Sequence, residues 1–300
     1  EFFAGQFDSR RVLALSGRDG HELWSRSIGY RVRPLIIGDT LHAEPWCFKL
    51  ATGEQIQRTN PITGNQEPWQ FARPGHHCGG PSASPNCMFF RSYTIGYYDL
   101  LQDSGTVHFG TQRSGCWINS IFGNGLVMVP EASSGCMCAF PNMTTVVFKP
   151  RAQDHAWTRY SLEGETLPVK QLALNLGAPG DRRDDTGKLW LAYPRPLGSL
   201  VLPLGLDLSL YPGGAYFQSS ADFTQVAGTT ASWLYTFGVR GLKEMTIPLR
   251  RSQDGSARYT VRLAFAAMEN EKPGQRVFDV QLQKKTAAEN FDLARDAGGL

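Results

Sequence analysis

The stretch VLALSGRDGHELW, Val12 to Trp24, sets two short apolar runs on either side of a glycine-rich turn. That arrangement specifies a β-hairpin: Gly17 and Gly20 supply positive φ, and Asp19 bonds the local backbone. The pattern returns about 35 residues further on. PLIIGDTLHAEPW turns at Gly38 and Asp39, and CFKLATGEQIQR turns at Thr52 and Gly53. A strand-turn-strand unit recurring at this period points to propellers or solenoids. With 32 glycines, 18 prolines and short runs rich in Val, Leu, Phe, Tyr and Thr, the chain reads as all-β.

Ala14, Leu15 and Ser16 with Gly17, Gly20 and Trp24, followed by Phe48, Lys49 and Leu50 with Thr52 and Gly53, resemble the blade motif of the quinoprotein alcohol dehydrogenase-like (PQQ-like) β-propellers. In that family a Thr-Gly turn and a tryptophan dock one blade on the next. The first copy has Asp19 where Thr would stand, and the second lacks the docking Trp. The physical task of the motif is packing, since a flat Trp between sheets buries about 150–250 Å2. The resemblance therefore implies blades rather than a cofactor site. Pyrroloquinoline quinone (PQQ) is conceivable in such a funnel, but the residues present do not support it. Residues 1–155 are expected to form the terminal blades of an incomplete propeller, a late part of a ring whose earlier blades lie outside this sequence.

Thirty Lys and Arg against 27 Asp and Glu give a formal net charge of +3. The positive residues are scattered, so no nucleic acid partner is expected. GSLVLPLGLDLSLY is interrupted by Pro203 and Asp207, and no apolar run of about 18 residues marks a membrane-spanning helix. The first residues, EFFAGQFDSR, lack an initiating Met and the features of an export signal, so the amino end is expected to lie outside this sequence. The texture changes across KPRAQDHAWTRYSLEGETLP, and all six cysteines precede it. The second domain is placed at 160–300.

Five cysteines, Cys78, Cys87, Cys116, Cys136 and Cys138, fall close to His76, His77 and His108. Three readings stand. The five are disulfide candidates, though Cys136 and Cys138 are poorly placed to bond each other. His76, His77 and Cys78 with Cys136 and Cys138 are a candidate zinc or copper site, although the spacing is that of no zinc ribbon. The third reading is buried free thiols in β-sheet. GHHCG, FFRS, GYYDL, GCWIN and GLVMVPEASSGC are similar to the last blades of large exported bacterial proteins, which implies a periplasmic or extracellular setting. Glu131 and Asp99 are the carboxylates that a propeller funnel would offer as acid and base, but nothing in their spacing demands it.

Beyond residue 166, VKQLALNLG, KLWLAYPRP, SWLYTFGVRGL, MTIPL, ARYTVRLAFA and RVFDVQLQ read as strands. Tyr259, Val261, Leu263 and Phe265 alternate with Thr260, Arg262 and Ala264, as in a sheet with one face inward and one wet. Tyr259 to Phe265, Gly274 to Val280 and Asn290 to Asp292 resemble the closing part of a malectin-like domain, a jelly-roll β-sandwich. The resemblance implies a sandwich truncated at its carboxy end and a carbohydrate-binding surface. Sugars stack their C–H faces on aromatic rings and hydrogen-bond polar side chains. Tyr193, Tyr211, Tyr216, Tyr235, Arg240 and Asp279 are the chosen candidates, with Trp233 and Asp181 beside them. Tyr193 and Tyr211, next to Pro and Gly, are expected in exposed loops, and Trp233 in the core.

The expected function is a non-catalytic exported scaffold whose sandwich binds a glycan and whose propeller offers a surface for a protein or ligand. The alternative is an enzyme, a quinone-dependent dehydrogenase or a carbohydrate-active enzyme, with its site in the propeller funnel.

Overall fold

The computed structural model describes residues 10–110, 112–115, 117–131, 144–151, 156–162, 164–195, 205–220, 223–267 and 271–296. The fold is all-β, with 41% strand against 4% helix. The chain divides into two compact units. The first holds 1–174, 179–207 and 246–251; the second holds 175–178, 208–245 and 252–300.

In the first unit the opening hairpin forms as its sequence specifies. Arg11–Leu15 pairs antiparallel with Glu22–Ser27, Gly20 turns at φ +75° whereas Gly17, expected to do the same, does not take a positive φ, and Asp19 Oδ1 accepts the His21 N–H at 3.3 Å. A second sheet follows, Leu35–Ile37, Thr40–Ala43 and Trp46–Lys49 in that order. Bridges from Phe48 to Gln55 and from Trp46 to Gln70 append the hairpin Gln57–Thr59/Gln66–Pro68 to it. The third sheet has five strands, ordered Thr158–Arg159, Thr106–Phe109, Thr94–Asp99, Cys87–Ser92 and Ser82–Ala83. A fourth comprises Ile121–Gly123, Leu126–Val129 and Val146–Phe148.

The period of two decides how these sheets stack. Val12, Ala14 and Trp24 leave the first sheet on one face and meet Leu41, Ala43 and Phe48 of the second. The opposite face of the second sheet brings Cys47 against Trp69, Phe71, Met88, Phe90 and Tyr98. Phe89 and Ile95, on the other face of the third sheet, meet Val129, Phe122 and Phe148 of the fourth. Four sheets thus stack face to face through three apolar layers. Among the described residues no closed propeller is formed.

The segment after 156 packs with this unit. Tyr160, Leu162, Val169, Leu189 and Leu191 surround Ile62, and Thr158 bridges Asp181. The described residues of 160–174 and 179–195, grouped above with the sandwich, therefore fall in the first unit.

The second unit is built on two hairpins. Asp207–Gln218 pairs with Phe237–Thr246, and Val277–Leu282 pairs with Lys285–Asp292. The first of these strands runs through Pro212-Gly213-Gly214, where a loop was expected at Tyr211. Gly213 sits at φ +82°, and a Cβ on Gly241 of the facing strand would lie 3.0 Å from Gly214 Cα. Two glycine backbones pass too closely there for side chains, so the glycines let the strand run on instead of ending it.

Residues 257–267 form no ladder, although YTVRLAF alternates cleanly. Alternation fixes which side chains share a face and leaves the pairing edge undetermined. This segment is held through Phe265, whose ring centroid lies 5.4 Å from Phe278 and 5.6 Å from Phe291. The Gly274 and Asp292 motifs meet as well, since Asp292 Oδ2 accepts the Gly274 N–H at 2.8 Å.

Candidate functional site

The candidate sugar contacts separate. Tyr211, Tyr216, Tyr235, Arg240 and Asp279 lie in the second unit, whereas Tyr193 and Asp181 lie in the first.

Tyr193 ends the strand Leu189–Tyr193. Its hydroxyl donates to the Leu206 carbonyl at 3.3 Å and its ring is half-buried, which corrects the expectation of an exposed loop tyrosine. Asp181 is fully buried. Its Oδ1 accepts the Ala192 N–H at 2.9 Å, and its Oδ2 accepts the Tyr160 N–H at 2.8 Å and Arg195 Nη2 at 2.9 Å. Burial pushes this carboxyl above its ordinary value against the pull of Arg195 and the two backbone N–H groups. A carboxylate with those three partners, sealed from water, is a fold anchor.

On the long hairpin Tyr211 is 57% exposed and Tyr216 37%. Between them lie the bare Pro212-Gly213-Gly214 backbone and the close approach of Gly241. Arg240, also exposed, holds its guanidinium 5.2 Å from the centroid of the Phe217 ring. Tyr216 borders Gly177, where a Cβ would lie 3.4 Å from its Cδ1, and the Gly177 carbonyl accepts Gln218 Nε2 at 2.9 Å. Exposed rings, a bare backbone and a guanidinium on one hairpin can stack a flat apolar face and donate hydrogen bonds beside it.

Tyr235 is half-buried behind the short 3-10 helix Ser232–Leu234, and Trp233 is buried, as expected of a core residue. Asp279 is exposed, but its Oδ1 accepts the Asn290 N–H at 2.8 Å. Asn290 sits at φ +51°, and the ladder shifts register between Phe278 and Val280. Asp279 thus pins a bulge in its own hairpin.

In the cysteine-rich segment, Cys116, Cys136 and Cys138 lie outside the described residues. His76 Nε2 lies 3.4 Å from Cys78 Sγ, while His77 Nδ1 donates to the Gly75 carbonyl at 3.0 Å, and burial lowers its pKa. Among the described residues no three His, Cys, Asp or Glu side chains gather as metal ligands. Cys87, a disulfide candidate, is a free thiol whose Sγ lies 3.2 Å from Ser84 Oγ, and burial raises its pKa. Cys47 is likewise free and pushed up to about 12 by burial. Both are protonated at neutral pH and poor nucleophiles.

Asp99 is occupied in its own turn: Oδ1 accepts the Leu101 and Gln102 N–H groups at 2.8 and 3.0 Å, and Oδ2 accepts the Tyr97 hydroxyl at 3.2 Å. Glu131 begins the segment after the fourth sheet's middle strand, and its N–H donates to Thr145 Oγ1 at 3.2 Å.

Sequence reading overlooked a buried polar network. Arg58 Nε donates to Glu67 Oε1 at 2.9 Å, Nη1 to the Gln70 carbonyl and Nη2 to the Ser161 carbonyl, with Tyr160 4.5 Å from its guanidinium. Asn60 Nδ2 donates to Glu67 Oε2 at 2.7 Å. A second buried pair, Arg73 with Glu44, closes at 2.6 Å. These groups bond one another and the backbone, and so order loops.

The class defined by fold and site is an all-β protein of two units, one a stack of sheets and the other carrying an exposed aromatic hairpin. Residues 212–300 match the family model of the Malectin domain. Tyr216, Tyr235, Arg240 and Asp279 fall inside that match, Tyr211 immediately precedes it, and Tyr193 is outside. No curated protein and no solved structure matched the chain. No helix among the described residues is long and apolar enough to cross a membrane.

Proposed function

We propose that this protein is a non-catalytic, carbohydrate-binding scaffold, exported to the periplasm or the cell exterior, with its sugar contact on the hairpin Asp207–Gln218/Phe237–Thr246. The observation that carries the reading is the coincidence of the Malectin match at 212–300 with the exposed Tyr211 and Tyr216 on that hairpin. Tyr211 stacks a pyranose face, Tyr216 borders it, and Arg240 donates to hydroxyl or carboxylate oxygens. The stacked sheets of the first unit supply a rigid body of PQQ-like blade type. The hydrogen-bonded environments of Tyr193, Asp181 and Asp279 support fold roles for these three, so the proposed contact set reduces to Tyr211, Tyr216 and Arg240.

A glycan array probed with the whole chain tests the reading. Binding to a restricted set of oligosaccharides is expected. A blank array, neutral and acidic sugars included, sinks the sugar assignment.

A further inference from the structure

Gly177 lies outside the Malectin match, yet the segment Asn175–Ala178 belongs to the second unit and packs on its aromatic hairpin. Gly177 takes a φ of +78°, a conformation open to glycine and strained for other residues. A Cβ there would lie 3.0 Å from the Gly238 carbonyl oxygen, 3.4 Å from the Phe217 carbonyl oxygen and 3.4 Å from Tyr216 Cδ1. The segment therefore lies down on the backbones of both strands of the hairpin, with the Tyr216 ring beside it.

Two hydrogen bonds hold the segment in that place. Gln218 Nε2 donates to the Gly177 carbonyl at 2.9 Å. Asn175, only 4% exposed, donates from Nδ2 to the Trp233 carbonyl at 3.4 Å. Tyr216 and Gln218 stand two apart in the strand Asp207–Gln218, so their side chains leave the same face, and Gly177 meets both of them. A ring free to swing loses that freedom when a sugar stacks on it, whereas a ring already held gives up little.

We propose that Gly177 and Gln218 are positioning residues for Tyr216, holding its ring in the orientation that receives the sugar. Gly177 supplies a backbone close enough to back the ring, and Gln218 ties that backbone down. The inference rests on the carbohydrate reading of this hairpin and adds to it two residues that act through the ring rather than on the sugar.

The test uses the whole chain. Fluorotyrosine in place of Tyr216 reports on the ring without any sugar, and the same label in place of Tyr211 is the control. Gly177→Ala and Gln218→Ala should each move or broaden the fluorine signal of the first label and leave that of the second unchanged. Gly177→Ala strains its own turn. Gln218→Ala removes one hydrogen bond at an exposed position, so it keeps the fold and carries the test if the first variant does not fold. Glycan affinity is then measured by isothermal titration in two backgrounds. In the unmodified chain each substitution should weaken binding, by no more than the roughly 2- to 10-fold expected of Tyr216→Ala. Added to Tyr216→Ala, neither should weaken it further. An equal loss in both backgrounds overturns the proposal, and so does an unmoved fluorine signal at Tyr216. A blank glycan array removes the sugar reading and with it the purpose given to the ring, while the fluorine signals still report whether the segment holds it, so the two failures are distinct.

Discussion

The indole of Trp24 lies flat on Gly53. A Cβ at residue 53 would stand 2.6 Å from Trp24 Cδ2 and 2.7 Å from Cε3, and the indole Nε1 donates to the Leu50 carbonyl at 2.8 Å. The turn of the second sheet is therefore shaped to receive the tryptophan of the first. Gly53 serves twice, because its φ of +66° is also a conformation that L side chains disfavour. Gly53→Ala should cost about 1–2 kcal/mol for the left-handed backbone, with ~1–3 kcal/mol more for overpacking against the ring. Trp24→Ala should cost ~3–5 kcal/mol. The double variant should fall well short of the sum, because the two residues form one contact. Urea unfolding followed by circular dichroism checks this, and full additivity would refute the coupling.

Two histidines set an acid limit on the first unit. Burial lowers His42 and His108 from 6.5 to about 4, with Arg159 lowering His108 further. His42 Nε2 lies 3.1 Å from Thr40 Oγ1 and 3.6 Å from Cys47 Sγ, with Trp69 edge-on to the ring. His108 Nε2 lies 2.9 Å from Ser92 Oγ. The unfolded chain protonates both near pH 6.5 while the folded chain keeps them neutral until about pH 4, so the unfolded state binds more protons in between. Stability is fully present above 6.5 and lost as pH falls through that window, by at most about 3 kcal/mol for each histidine. Urea midpoints at pH 7.5, 6 and 4.5 should fall in that order. His108→Gln should flatten the slope, and an unaltered slope would remove His108 from the account.

What was legible in the sequence was local. The hairpin at Val12–Trp24 and the turn at Gly53 could be read because alternation and turn chemistry lie within a few residues of each other. Trp24 could be assigned a docking role by resemblance, and the geometry now on Gly53 matches it. Arg58 and Glu67 could not be read: charged residues in short strands look like solvent-facing positions, and only the arrival of Ser161 and Tyr160, about a hundred positions away, buries them. Tyr211 was misplaced for a related reason. Pro212-Gly213-Gly214 has the composition of a turn, and only the close approach of Gly241 across the hairpin shows that the strand runs through it. For Tyr259–Phe265 the expected inward face is not formed, since Val261, Leu263 and Phe265 are 50%, 53% and 41% exposed. Alternation alone supplies neither a covering layer nor a pairing neighbour.

Asp181 and Arg195 provide a test of fold against function. The pair is sealed from water, with side chains 1% and 2% exposed, and each group also bonds backbone. Removing one partner leaves the other charged and buried, so Asp181→Ala should destabilise by about 3–5 kcal/mol. Glycan binding by the fraction that remains folded should be unaltered. A folded Asp181→Ala protein of ordinary stability that has lost sugar affinity would return this residue to the binding site.

The sugar contact itself rests on exposed rings, and the more open of them can be removed without a cavity. Tyr211 is 57% exposed, so Tyr211→Ala should leave the melting temperature nearly unchanged, whereas Tyr216 is 37% exposed and packs against Gly177, so Tyr216→Ala should lower it modestly. An aromatic stack contributes about 0.5–1.5 kcal/mol beyond area burial, so each variant should weaken glycan binding roughly 2- to 10-fold. Arg240→Ala should weaken binding and also uncover Phe217. Asp279→Ala should show the reverse pattern: loss of the hydrogen bond from the Asn290 N–H loosens the second hairpin and lowers the melting temperature, with little change in affinity. Isothermal titration with an oligosaccharide found on the array, run beside thermal melts of the same samples, distinguishes the two groups. If Asp279→Ala abolishes binding at unchanged stability while both tyrosine variants bind normally, the sugar surface belongs on the second hairpin and the aromatic hairpin loses its assignment.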